Sequence, residues 1–310
     1  MKTTCHVSRR GALSMGATLP LAGLFPLSVG AQAAPTPGPV QAAPSAKILL
    51  GQIEVTPVRA GSGIAEKPID TFALGIDPAE FARVAQDNFL PIDKSGSSYT
   101  PVLVRTGSAL ALVDTGLKPD ETLAALAANG ISAEQITHVI LTHMHGDHIG
   151  GLMGEGPSFP NAELIVPKLE NDYWATQDSE AYKAKVAPLI GKARQISDGD
   201  EVLPGIHAEA AYGHTPGHTT YLLKSDDQQL LLSGDSFNHY AFSVSHPEWK
   251  VRFDIDKEMG IATRKRVLAR LAEERLPFFG YHMPFPAMGY IAKAGDDSYR
   301  YVPVTYQFAV

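Results

Sequence analysis

The chain has 310 residues, 44% of them hydrophobic and 19% charged, with 28 Gly and 23 Pro. That balance excludes both a disordered chain and a collagen-like repeat. The formal charge of −7 gives an acidic surface that repels a phosphate backbone, so nucleic acid is excluded as a partner.

Taken in chain order, residues 1–33 read as an export signal. Ser8-Arg9-Arg10-Gly11 opens the segment, an apolar stretch from Ala12 to Val29 follows, and Ala31-Gln32-Ala33 supplies a small-x-small end. The paired arginines point to the twin-arginine route, hence a periplasmic or secreted protein. Gly16, Pro20, Gly23 and Pro26 interrupt the apolar stretch, which is short for a membrane span, so no stable insertion of the mature chain is expected. Loss of Lys2, Arg9 and Arg10, with no acid in the segment, takes the charge from −7 to −10. The single cysteine, Cys5, leaves too, so any metal in the mature chain is held by His and carboxylate alone.

Residues 34–46, rich in Pro and Ala, read as a flexible lead-in, and 47–310 as one domain. Lys47 to Val58 is β-like, and Pro78 to Gln86 has helical spacing at Phe81, Val84 and Ala85. The runs 101–105 and 109–113 predict a hairpin around Thr106-Gly107-Ser108. Pro119 to Ala128 predicts a helix, and Ile136 to Thr142 a strand. Glu163 to Val166 reads as a strand, followed by helices over 169–176 and 180–193. A strand over 206–212 precedes a second hairpin, 220–224 with 229–232. The longest helical pattern is Asp256 to Glu274, and strands close the chain at 278–281 and 299–304. Hairpins mixed with helices predict an α+β fold of helices covering mixed sheets. Lys224, Arg264, Lys265 and Arg266 read as solvated faces.

The chemistry concentrates in His143-Met144-His145-Gly146-Asp147-His148, where a strand delivers three imidazoles and a carboxylate to one turn. Such donors suit Zn²⁺ at about 2.0–2.2 Å, with Mn²⁺, Fe²⁺ or Co²⁺ as alternatives. Gly146 and Gly150-Gly151 read as positions of close backbone approach. His138 and His207 read as structural or exposed, and His239 and His246 as candidates for the pocket.

The spacing His143-x-His145-x-Asp147-His148 resembles the signature of the metallo-β-lactamase superfamily, and further segments resemble its later motifs in order. These are Val113-Asp114-Thr115-Gly116, Gly213-His214-Thr215-Pro216-Gly217-His218, Ser233-Gly234-Asp235 and Gly280-Tyr281-His282. The resemblance implies an αββα sandwich of two mixed β-sheets flanked by helices. It implies one metal on His143, His145 and His214 and a second on Asp147, His148 and His282. Asp235 would bridge both, with Asp147 and Asp235 as catalytic carboxylates around a shared hydroxide. Asp114 would brace a ligand histidine and His218 would be structural.

Within the superfamily, Gly213 to Tyr221, Tyr299 to Tyr306 and Asp172-Tyr173-Trp174 resemble the methyl parathion hydrolase and lactonase–arylesterase branch. That branch implies a small-molecule lactone or aryl-ester substrate, phosphotriesters as side substrates, and a homodimer. It places Trp174 at the substrate pocket, and Phe237, Asn238 and His239, in the loop after Asp235, are further candidates for that pocket. Quorum-quenching lactonases carry tyrosine where this chain has Asn238. The alternatives are a glyoxalase II-like thioesterase, a β-lactamase-type amide hydrolase, against which Asp235 argues, and a silent metal-stabilised binding protein.

Overall fold

The computed structural model of the protein describes residues 47–305. The expected export signal (1–33) and lead-in (34–46) lie outside the described residues.

The first segment folds back on itself as β1 (Ile48–Leu50) and β2 (Ile53–Pro57) around Gly51, whose φ of 55° is left-handed. β3 (Ser62–Glu66) follows, then α1 (Ile69–Phe72) and α2 (Pro78–Asp87). The Asp77 side chain caps α2 by accepting from the Ala79 and Glu80 N–H groups. β4 (Lys94–Ser98) returns to pair with β3, a ribbon that sequence patterning did not indicate. β5 (Val102–Thr106) and β6 (Ala109–Val113) make the expected hairpin. Then come α3 (Pro119–Ala128), β7 (His138–Ile140), α4 (Gly146–Ile149), β8 (Glu163–Pro167) and α5 (Lys168–Trp174).

The helix expected over 180–193 is a correction. α6 (Glu180–Lys185) stops early and a short 3-10 turn at Ile190–Lys192 follows, because Pro188 cannot continue the ladder. β9 (Arg194–Ile196), β10 (Glu201–Leu203), β11 (Ile206–Ala210), β12 (Thr219–Ser225) and β13 (Gln228–Leu232) follow. α7 (Phe242–Ser245), α8 (Lys257–Glu273), β14 (Phe278–Phe279), β15 (Met288–Lys293) and β16 (Tyr299–Pro303) complete the described chain.

Two seven-stranded sheets result, β1-β2-β5-β6-β7-β8-β9 and β10-β11-β12-β13-β14-β15-β16. Each is mixed: β6 to β9 pair in parallel, as do β13 and β14, and the remaining pairs are antiparallel. Alternation along the strands explains the layering. Val102, Val104, Ala111, Val113, Ile140 and Ile165 face the second sheet, packing with Leu223, Leu232, Phe278 and Met288. Their neighbours Leu103, Leu112, Val139, Leu141, Leu164 and Val166 face outward, under Leu126 of α3 and Tyr182 of α6. Burial on both faces is why these strands read as unbroken apolar runs. α8 covers the second sheet through Val267, Leu268 and Leu271. This is the αββα sandwich that the sequence predicts. No helix of the described residues is long and apolar enough to cross a membrane.

Candidate metal centre

The groups expected to bind or brace metal lie beyond strand ends, His214 in the loop after β11. Asp114 follows β6, residues 143–148 follow β7, Asp235 follows β13 and His282 follows β14. Asp114 sits at φ 60°, a left-handed conformation that Asp tolerates better than most residues. The turn places its carboxylate to accept from the Thr142 N–H and hydroxyl, both at 2.8 Å, and from His148 Nδ1 at 2.9 Å. Gly150 and Gly151 press against the Leu117 and Thr115 carbonyls with no room for a Cβ. Gly146 is different: a Cβ there would meet nothing within 4 Å, so close packing does not explain it.

The expected donors converge. His145 Nδ1 lies 3.1 Å from His143 Nε2 and 3.0 Å from His214 Nε2. His282 Nε2 lies 3.4 Å from Asp147 Oδ2, and His148 Nε2 3.9 Å from the same oxygen. Asp235 stands between these trios, with Oδ1 3.3 Å from His148 Nε2 and Oδ2 3.4 Å from His214 Nε2 and 3.1 Å from His282 Nε2. His218 points away from the donors. It hydrogen-bonds the Ala211 carbonyl through Nδ1 and accepts the Asp235 N–H at Nε2, fixing the backbone from which the Asp235 side chain starts.

The electrostatics are those of a cluster short of positive charge. Burial holds His143 and His145 well below the ordinary imidazole range. Burial acts the same way on His148, His214 and His282, but there the carboxylates win. Asp235 with Asp114 raises His148 well above its usual value, Asp235 with Asp254 lifts His214 to about 9, and Asp235 with Asp147 raises His282. His148 Nε2 and Asp235 Oδ1 are buried without a hydrogen-bond partner. Three overlapping donor groups gather within 4.8 Å: His143/His145/His214, His143/His148/Asp235 and Asp147/His148/His282. Inward-facing imidazole and carboxylate donors, two of them orphaned, fit a pair of divalent cations.

A cavity of about 430 Å³ opens onto the centre, with His145, Asp147, Asp235 and His282 among its lining residues. Of the four pocket residues expected from the sequence, Asn238 lines it, and its amide donates to Asp235 Oδ2 at 2.9 Å. The other three are corrections. Phe237 is fully buried between the sheets, edge-on to Phe278. Trp174 does not line the cavity; its indole N–H donates to Glu170 and its ring meets His145 edge-on. His239 is buried against Phe72, Phe242 and Tyr240 and lines a neighbouring cavity of about 540 Å³. His246 stacks on Trp249 instead.

Sequence reasoning missed the groups that hold the donors. Asp254 accepts from His214 Nδ1 at 2.8 Å and is gripped by Arg264 at 2.5 Å. Arg264 is therefore no solvated residue: it is 1% exposed and also donates to the Pro247 and Trp249 carbonyls. Glu170 accepts four hydrogen bonds, from Met144 N, Trp174 Nε1, Thr215 Oγ1 and Gly217 N, tying two donor loops together. Ser97 Oγ and the Ser98 carbonyl hold His282 Nδ1 from the β3–β4 ribbon. Forty residues separate Asp254 from His214, so no local pattern marks the pair.

Sandwich and centre together define a class, an αββα domain with paired imidazole–carboxylate clusters able to hold metal. Residues 97–273 match the sequence profile of the metallo-beta-lactamase superfamily, and the chain belongs to that superfamily. The N-acyl homoserine lactonases of Bacillus sp and Bacillus cereus are 31% and 30% identical to it over 167 residues, 52% of this chain. The chain spans 62% of the length of those curated relatives. Among solved structures, AidC is a dizinc quorum-quenching lactonase in complex with a product N-hexanoyl-L-homoserine. It superposes with a TM-score of 0.77 at 27% identity, over 84% of this chain and 97% of that one. The hydrolase AbOPH of the beta lactamase superfamily superposes with a TM-score of 0.78 at 24% identity over the same shares, a likeness of fold alone.

Proposed function

We propose that this protein is a binuclear metal-dependent hydrolase of lactone or aryl-ester bonds, with phosphotriesters as side substrates. The observation that carries this is the position of Asp235, one carboxylate shared between two donor trios. His143, His145 and His214 would hold one cation, Asp147, His148 and His282 the other, and Asp235 both. The donor set suits Zn²⁺, and two such cations when bound acidify water and polarise a carbonyl or phosphoryl oxygen.

The chain's own residues prepare that chemistry. Asp254 and Asp114 each take a ring N–H, which fixes the tautomers of His214 and His148 and leaves Nε2 free to face the centre. Ser97 and Ser98 do the same for His282. The Asn238 amide orients the bridging carboxylate from the cavity wall. Ile64, Phe72, Leu117 and Phe253 give the cavity an apolar side that receives the body of an ester and excludes water. The lactonase names of the curated relatives and of AidC support the lactone reading.

The test is a substrate panel of lactones, 4-nitrophenyl esters, paraoxon-type triesters, thioesters and β-lactams, run with metal-replete protein alongside elemental analysis. Turnover of a lactone or aryl ester with about two equivalents of metal is expected, and Asp235→Asn should lose turnover and retain about one equivalent. No turnover of lactones, esters or triesters removes the reading. We further propose that residues 1–33 export the protein folded and metal-loaded to the periplasm or beyond; a mature N-terminus near residue 34 by mass spectrometry tests it.

A further inference from the structure

The cavity carries polar groups, Arg252 and Thr71, that neither the metal donors nor the apolar wall explains. Arg252 is the only Lys or Arg among its lining residues. It is exposed, and its guanidinium pairs with no carboxylate among the described residues; it lies over the ring of its neighbour Phe253, 4.8 Å from the centroid. Unlike Arg264 and Arg270, which Asp254 and Glu209 hold, the Arg252 guanidinium has no carboxylate to compete with an anion in the cavity.

Thr71 stands beside it. The Thr71 carbonyl accepts the backbone N–H of Arg252 at 2.8 Å, and Leu74 pairs antiparallel with Lys250, so the segments are stitched together. Thr71 also lines the cavity, is 1% exposed, and its hydroxyl has no hydrogen-bond partner. A buried hydroxyl without a partner costs stability unless a ligand satisfies it. A guanidinium and an unpartnered hydroxyl lining one cavity are the donors a carboxylate takes: the first supplies charge and a planar fork, the second one more donor.

We infer that the substrate is an ester or lactone carrying an ionised carboxylate, held by Arg252 and Thr71 while its scissile carbonyl lies by Asp147 and Asp235. The inference rests on the hydrolase reading above and names its substrate class. Ile64, Phe72 and Phe253 line the same cavity, so the body joining carboxylate and carbonyl is apolar.

The experiment separates binding from turnover. Calorimetry on full-length, metal-loaded protein compares adipic acid mono-anilide, a carboxylate with no hydrolysable ester, with its neutral primary amide, which carries no ester either. The carboxylate is expected to bind about tenfold more tightly. In Arg252→Gln that ratio should fall to about one, in Arg252→Lys it should be partly kept, and in Thr71→Val it should drop severalfold. A preference that survives Arg252→Gln places the carboxylate on the metals and overturns the subsite, as does no preference in the wild type. If the ester and lactone panel is inert while the Arg252-dependent preference holds, the hydrolase reading fails and the anion subsite stands.

Discussion

Arg264→Met should destabilise the fold more than any change at a surface arginine. Both partners of the Arg264–Asp254 pair are 1% exposed, and the guanidinium also satisfies the Pro247 and Trp249 carbonyls at 2.9 Å each. Removing it leaves a buried carboxylate and two buried carbonyls without those donors. Breaking a buried pair from one side costs about 3–5 kcal/mol, and at roughly 2–4 °C per kcal/mol for a domain of this size the melting temperature should fall by about 10 °C. Circular dichroism on metal-free and metal-loaded protein measures it. Arg264→Met with Asp254→Leu should recover part of the loss, because no charge is then left unpaired. The double variant should still bind metal more weakly, by roughly 10–100-fold, because His214 Nδ1 has lost its acceptor. Arg264→Met melting within about 2 °C of wild type would refute the assignment of this pair as the brace of His214.

Three further outcomes follow from the same geometry. Glu170→Gln should cost roughly 1–3 kcal/mol, since an amide presents a donor to at least one of the backbone N–H groups of Met144 and Gly217; chemical denaturation reads it, and an unchanged midpoint would count against the loop-tying role. Asp114→Asn should lower affinity at the cluster holding His148 by about 10–100-fold while leaving the other less affected, seen as biphasic chelator titration; uniform weakening of both would contradict the geometry. Burial holds His239 at about 3, below its ordinary 6.5, and its Nδ1 already accepts the Ala241 and Phe242 N–H groups. The unfolded chain therefore takes up this proton first: the stability is intact above pH 6.5 and is lost as pH falls toward 3, about 2 kcal/mol by pH 5. His239→Gln should flatten the acid limb of melting temperature against pH between 6.5 and 5, and an identical limb would show that the ring is not held neutral.

The fold was legible wherever one run of sequence carried both the period and its stops. β5 and β6 announce themselves as apolar runs around Thr106-Gly107-Ser108, and α3 lies between Pro119 and Gly130, as structure and pattern agree. The β3–β4 ribbon was not legible for two physical reasons. Its strands are Ser-Gly-Ile-Ala-Glu and Lys-Ser-Gly-Ser-Ser, poor in β-branched residues, and two helices intervene, so neither propensity nor a turn marks the pair. Yet this ribbon supplies Ser97 and Ser98 to His282 and forms one wall of the cavity.

The centre divides along the same line. Three imidazoles and a carboxylate packed into six consecutive positions are visible because a turn after a strand must present them together, and Asp235 and His282 gain meaning from the Ser233-Gly234 and Gly280-Tyr281 that precede them. The groups that orient them are ordinary residues in ordinary places. Glu170 sits inside a short, mostly polar helix, and Arg264 among Lys265 and Arg266, where a charge reads as solvated. What distinguishes Arg264 is the loop over 246–256, whose carbonyls and Asp254 turn toward it only in the folded chain. Phe237 shows the converse error. Its position two residues after the bridging aspartate suggested the pocket, but the chain turns at Ser236 and drives the ring into the layer between the sheets, against Phe278. Donor identity is thus written locally, whereas donor orientation and substrate contact are set by segments that meet only on folding. Arg252 and Thr71 belong to that second kind: they are 181 residues apart in sequence and joined by one backbone hydrogen bond.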